Sequence, residues 1–215
     1  MKPPKTILIG AGGHAGVVAA MLAAIAAPVE GMVTLERGLH GTARYGLRVL
    51  GDDETVLGYA PDTVVLVNAI GSVGDTEPRR DAYERFKARG YKFLSLIHPG
   101  AIVAAGVQLG EGVQVLARAV VQPGATLRDN CLVNTGAIVE HDCVLGKHVH
   151  LATGAILCGN VSIDDGAHIG AGALVIQGLR VGSGSTVAAG AVVNRDVPPA
   201  VTVAGVPARE VARHG

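Results

Sequence analysis

The sequence predicts a small α/β domain followed by a parallel β-helix, and three observations carry that reading. From Ala101 to Asp196 the chain divides into sixteen hexads without insertion, from AIVAAG, VQLGEG and VQVLAR to STVAAG and AVVNRD. The third residue of every hexad is Val, Leu or Ile, and the first is nearly always Ala, Val or Cys. Ahead of His98 the texture changes to apolar strand-like runs alternating with helix-like ones. Glycine is abundant, with 31 residues, and aromatic side chains make up only 3% of the chain. That balance suits tight corners around an interior that admits only small and branched groups.

Strand geometry explains the hexad. Positions one and three point to one side of a short strand, while positions four to six, rich in Gly, Asn and Asp, turn a corner. Three such faces close a coil of eighteen residues. Coils stacked about 4.8 Å apart then build a triangular prism with a dry aliphatic centre. The hexapeptide form of this coil winds left-handed. Val197, Pro198 and Pro199 follow the last hexad and stop the coiling, because proline removes ladder donors. The tail VTVAGVPAREV is expected to lie back along the prism or to cap its open edge.

Residues 1–97 form the expected first domain and 98–215 the second. Thr6 to Gly10, in KTILIGAGGHAG, is a strand that breaks on glycines and passes into AGVVAAMLAAIAA, which has helix composition. Free amides and the positive end of the helix meet at that turn and make an anion site. Gly10, Gly12, Gly13 and Gly16 give GxGGxxG rather than GxGxxG, so the motif reads as a phosphate or diphosphate site, against a turn that only packs helix on sheet. Further strands are expected at Gly31–Leu35, Thr63–Ile70 and Tyr91–Ile97, with a helix over Glu77–Arg89. Both glycine turns, after Ile9 and after Ile70, fall at the carboxyl edge of the resulting small parallel sheet, where such sheets bind ligands. The segment is too short for a full dinucleotide fold, so a single nucleotide is the expected cargo.

Formal net charge is zero and the pI is about 7.1. Lys and Arg neither exceed the acids nor run together, which excludes nucleic acid and anionic membrane as expected partners. Three cysteines, no signal peptide and no apolar run near twenty residues point to a reduced, cytoplasmic protein. Cys131 and Cys143 take the inward first position of their hexads and read as core residues, whereas Cys158 sits at a corner.

An aliphatic prism does no chemistry, so function falls to corners and outward positions. Glu140, His141 and Asp142 fill the corner of AIVEHD, with Asn134, His148 and His150 in neighbouring hexads. Eighteen residues beyond His141 lies Gly159, which leaves the space over the imidazole empty of side chain. A carboxylate turned onto the ring from Asp142 or Glu140 fixes its tautomer and raises its basicity; the alternative is a solvated corner histidine. His150 and His168, also eighteen apart and both outward, raise a zinc reading. It lacks a third ligand, so no metal is expected.

The hexads, the Asn134–x6–His141–Asp142 spacing, the AGVPAR tail from Ala204 to Arg209 and the opening IGAGGHAG together resemble the bacterial sugar O- and N-acetyltransferases of the left-handed β-helix superfamily. The nearest group N-acetylates nucleotide-linked 4-amino-4,6-dideoxy sugars. The resemblance implies an α/β domain holding the nucleotide-sugar, and a homotrimer with acetyl-CoA between adjacent prisms. It makes His141 the general base, Asp142 the acid that tunes it and Asn134 a polar neighbour. It places His150 near the thioester carbonyl, and the backbone amides of Gly159, Ala171 and Ala189 on the pantetheine arm. Gly10, Gly13, His14, Gly71, Ser72 and Arg79 match the nucleotide-sugar side. Where many relatives carry aspartates after the second strand, this chain has VTLERG, with Thr34 at that place.

The implied reaction is direct transfer. A sugar ammonium has no lone pair, so it must lose a proton to attack the thioester, and a histidine suits that task near neutral pH. The oxyanion needs a donor, from His150 or the Gly159 amide. A covalent acyl-enzyme would need Cys158, and nothing in the sequence places a base beside it. Loss of the aspartates at Thr34 shifts the expected base from uracil to guanine, with Glu36 or Asp75 as the acceptor for its two adjacent donors. The expected substrate is GDP-perosamine, with a UDP-linked amino-dideoxy sugar as the alternative and surface polysaccharide such as O-antigen as the destination. More distant alternatives are a γ-carbonic-anhydrase-like zinc enzyme and a non-catalytic scaffold.

Overall fold

The computed structural model describes residues 4–72 and 75–213. Two compact units divide the chain: Met1–Gly71 with Pro78–Leu96, and Ser72–Glu77 with Ile97–Gly215.

The first unit is a five-stranded sheet. Its strands are β1 (Lys5–Ile9), β2 (Val29–Val33), β3 (Ala43–Arg44), β4 (Leu47–Gly51) and β5 (Val64–Asn68), in the order β3-β4-β2-β1-β5. All pairings are parallel except β3 with β4. The helices are α1 (Gly13–Ala24), α2 (Asp53–Leu57) and α3 (Glu77–Lys87). α2 starts at Asp52, whose carboxylate accepts from the Glu54 amide at 3.2 Å and satisfies one of the orphan donors of a helix start. The β3–β4 hairpin and α2 were not expected; they occupy a polar, glycine-punctuated stretch with no long apolar run. β2 begins at Val29, two residues before the expected start. The expected strand Tyr91–Ile97 is only a bridge from Phe93 to Leu66 and a short strand at Leu96–Ile97. Its aromatics pack instead: Tyr83 lies 4.6 Å from Phe93 and Phe86 5.7 Å from Tyr91, ring to ring. The Tyr91 hydroxyl reaches the carbonyl oxygens of Val56 and Tyr59.

The second unit is the left-handed parallel β-helix, wound as three faces. One, the histidine face, stacks Gln114–Val115, Leu132–Val133, His150–Leu151, His168–Ile169 and Thr186–Val187. The next, the aliphatic face, stacks the six strands from Ile102–Val103 to Val192–Val193, and the third, polar face the five from Gln108–Leu109 to Arg180–Val181. First and third hexad positions pack in one continuous cluster that includes Val121, Cys131, Val139, Cys143, Leu157 and Val175, with Ala101, Val103, Val107, Leu109 and Leu179 partly buried against it. Cys131 donates its thiol to the Gly146 carbonyl oxygen at 2.9 Å and Cys143 to that of Cys158 at 3.2 Å. Burial pushes the Cys143 thiol up to about 11.

The corners share one backbone device. From residue 106 to residue 190 the sixth position of every hexad has positive φ, usually at Gly but also at Arg118, Asn130, Asp142, His148 and Asn160. Non-glycine residues there accept strain that Asn and Asp tolerate best. The tail continues the histidine face: Val201–Ala204 pairs in parallel with Thr186–Val187, and Arg209–Arg213 folds back antiparallel on it.

Candidate active site

His141 stands on the corner between the aliphatic and polar faces. Its Nδ1 lies 2.9 Å from Asp142 Oδ2. A carboxylate only accepts, so Nδ1 carries the proton and Nε2 is left as the free base. Asp142 reaches the ring because its backbone is left-handed, with φ at 60°. The coil below makes room: a Cβ added at Gly124 would overlap Asp142 Oδ1. The coil above does the same for the imidazole, since a Cβ at Gly159 would lie 2.5 Å from His141 Nε2. The base nitrogen thus projects over bare backbone, on a side chain that is 61% exposed. Glu140 does not take the orienting role; its carboxylate is 3.4 Å from the His141 amide.

Asn134 stands at the corner between the histidine and aliphatic faces and contacts His150, not His141. Its Oδ1 accepts from the Thr135 amide at 2.7 Å, which directs its Nδ2 as a donor to His150 Nε2 at 3.3 Å. His150 Nδ1 then donates to Ser72 Oγ at 2.8 Å. His150 is only 5% exposed, and its two nitrogens are both engaged. His168 stacks edge-on against it with ring centroids 4.9 Å apart. Among the described residues, His168 Nδ1 has no hydrogen-bond partner, and burial lowers the His168 pKa.

Two sets of backbone amides flank the aliphatic face. Fifth-position amides point along a corner toward the next coil, as the Glu111 and Lys147 amides show by donating to Asp129 and Asp165 Oδ1 at 3.0 and 2.8 Å. At Gly159 on one corner, and at Ala171 and Ala189 on the other, that amide finds no acceptor among the described residues. Donors therefore remain available on both corners.

In the first unit a cavity of ≈ 570 Å³ opens at the carboxyl edge of the sheet, lined by Gly10, Gly13, His14, Thr34 and Gly71 among others. Gly10 needs its positive φ of 109°. Cβ atoms at Gly12 or Gly13 would meet nothing within 4 Å, so a ligand can approach the α1 N-terminus. Two expected site residues lie elsewhere. Arg79 is 1% exposed beneath the Gly71 turn, where its Nη1 donates to the carbonyl oxygens of Asn68 and Ile70, both at 2.9 Å. Ser72 belongs to the second unit and is bound to His150. Asp75 does not line the cavity; it accepts from the Glu77 amide at 2.8 Å. Sequence reasoning missed Asp53 and Arg85, an ion pair on the cavity wall; Asp52 at the cap with Asp53 and Glu54 in the first turn was the available signal for α2. No group of three or more metal-ligating side chains occurs among the described residues.

Comparison with solved structures gives the acetyltransferase domain of PglB from Neisseria gonorrhoeae, 40% identical over 97% of this chain and 100% of that one, with a TM-score of 0.88. The chain belongs to the hexapeptide-repeat sugar acetyltransferases. PerB from Caulobacter crescentus, solved in complex with CoA and GDP-perosamine, is 36% identical over 97% of each chain with a TM-score of 0.89. WeeI from Acinetobacter baumannii is 27% identical over 97% of this chain and 100% of its own, with a TM-score of 0.87. A model of the hexapeptide repeat of succinyl-transferase matches residues 110–141 and 160–195, within the coils that carry most of this acetyltransferase's corner residues. Comparison with curated protein sequences returns no match.

Proposed function

We propose that this acetyltransferase moves the acetyl group of acetyl-CoA to the 4-amino group of a GDP-linked 4-amino-4,6-dideoxy sugar. One observation carries the reading: His141 Nε2, its tautomer set by Asp142, projects over the empty position at Gly159. An amine bound there loses its proton to Nε2 as its lone pair attacks the thioester carbon. Asp142 stabilises the imidazolium that forms. The tetrahedral intermediate collapses with CoA thiolate as leaving group, and the proton on His141 passes to it. The Gly159 amide is the oxyanion donor in this reading, because both nitrogens of His150 are already engaged. His150 and Ser72 then hold Asn134 in place.

The cofactor amides lie on two different corners, and a three-fold assembly brings such corners together. Outward residues Ile102, Val120, Ile138, Ile156, Leu174 and Val192 run down the aliphatic face as one stripe, with Ile102 65% exposed. If three prisms turn this face to a common axis, the His141–Gly159 corner of one abuts the Ala171–Ala189 corner of the next. Acetyl-CoA then lies between them. The cavity at the α1 N-terminus takes the diphosphate, and the GDP-perosamine held by PerB, 36% identical, supports guanine as the base.

Assay of thiol release with acetyl-CoA and either GDP-perosamine or its 4-hydroxy counterpart tests the reading. We expect CoA release and a new amide with the amine alone. Turnover of the 4-hydroxy sugar, or none of the amine, contradicts it.

A further inference from the structure

We propose that Asp53 and Arg85 form the base-reading element of the first-unit cavity and select guanine over uracil; this rests on the nucleotide-sugar reading above. The placement comes from sheet order. Along the carboxyl edge, the ends of β1, β2 and β4 follow one another, carrying Gly10, then Thr34, then Asp53 at the start of α2. A diphosphate on the Gly10–His14 turn thus has Asp53 two strand spacings away, about 10 Å along the edge. A ribose spans that interval and delivers the base to the pair. Arg85, on α3, reaches the same wall and forms an ion pair with Asp53.

The chemistry of the pair matches one base edge. Guanine presents an acceptor, O6, beside two donors, N1–H and the exocyclic amine. Arg85 donates and Asp53 accepts twice, so acceptor meets donor and donors meet acceptors. Uracil offers an acceptor, one donor and a second acceptor, which would set a carbonyl oxygen against the carboxylate. The carboxylate is also under-compensated. The Asp53 side chain is 15% exposed, and burial is the largest influence on its pKa, which stays raised with Arg85 beside it and the Asp52 and Glu54 carboxylates nearby. Further N–H donors from a ligand would complete its shell. Glu36, on the exposed rim of the cavity, forms no ion pair among the described residues.

The test is calorimetric binding of GDP and UDP to the full chain as wild type, Asp53→Asn and Arg85→Lys, with a thermal melt for each. Asp52 caps α2, so Asp53→Asn leaves the helix start intact. We expect wild type to bind GDP about 10- to 100-fold more tightly than UDP, the discrimination of one good bidentate pair. Asp53→Asn should remove most of that ratio by weakening GDP while UDP changes by less than about threefold. Arg85→Lys, which keeps the charge but not the planar fork, should narrow the ratio too and decides the matter if Asp53→Asn does not fold. A wild-type preference for GDP that survives in the variants overturns this assignment while the nucleotide-sugar reading stands. Equal binding of GDP and UDP by wild type overturns the guanine choice and the assignment together, and binding of neither overturns the nucleotide-sugar reading with them.

Discussion

The space above His141 Nε2 exists because residue 159 has no side chain. Gly159 is not in the left-handed region, so alanine fits the backbone there and only the new methyl matters. That methyl would sit 2.5 Å from His141 Nε2 and displace either the ring or the amine. Gly159→Ala is therefore expected to lower kcat by about 10²-fold, the penalty of an ångström-scale misplacement, with an unchanged melting temperature. Wild-type kcat in that variant would show that the amine does not occupy this position. The gap was legible in the sequence, because an eighteen-residue period places Gly159 over His141. The hand that Gly124 has in seating Asp142 follows from the same period, yet a glycine at a sixth position reads first as a turn residue.

Among the elements, the histidine face differs most from what its hexads advertise. Outward residues of a β-helix are normally wet, yet Gln114, His150 and His168 are all buried. The segment Ser72–Glu77 accounts for part of this, with Ser72 on His150 and Thr76 donating to the Gly166 carbonyl oxygen at 2.9 Å. Such a long-range contact has no sequence periodicity, and the resemblance, which places Ser72 on the nucleotide-sugar side, does not show it either. Arg79 is placed on that side by the same resemblance, and its burial among carbonyl oxygens is set by tertiary packing that no spacing reveals. The face also carries a pH dependence. Burial favours neutral His168, so its folded pKa lies below its unfolded value of about 6.5. Below that value the unfolded chain binds the extra proton first, and stability falls as pH drops toward the folded pKa. Wild type should therefore lose melting temperature between about pH 7 and pH 5, and His168→Gln should lose less. An equal loss in both would show that His168 does not carry this linkage.

On the scale of the whole molecule, the hexads made the coil legible because every core position repeats. In the first unit β1, β2, β5, α1 and α3 were legible from apolar runs and helix composition, whereas β3, β4 and α2 were not. The aliphatic stripe can be read from the same eighteen-residue period, since Ile102, Val120, Ile138, Ile156, Leu174 and Val192 share it, but spacing does not say what covers it. A trimer closed on that stripe is expected. Ile138→Glu, at an outward position in mid-stripe, should yield monomers by light scattering and lower activity more than about tenfold, since a buried unpaired carboxylate is not tolerated at such a contact. A wild-type monomer with full activity would contradict it. The role of His141 is tested by kcat for wild type and His141→Ala across pH with saturating acetyl-CoA. Loss of the general base predicts a fall of about 10² to 10⁴ at neutral pH, with partial recovery at high pH where the amine deprotonates unaided and with acetyl-CoA affinity unchanged. A variant that keeps wild-type kcat at pH 7 would contradict the account.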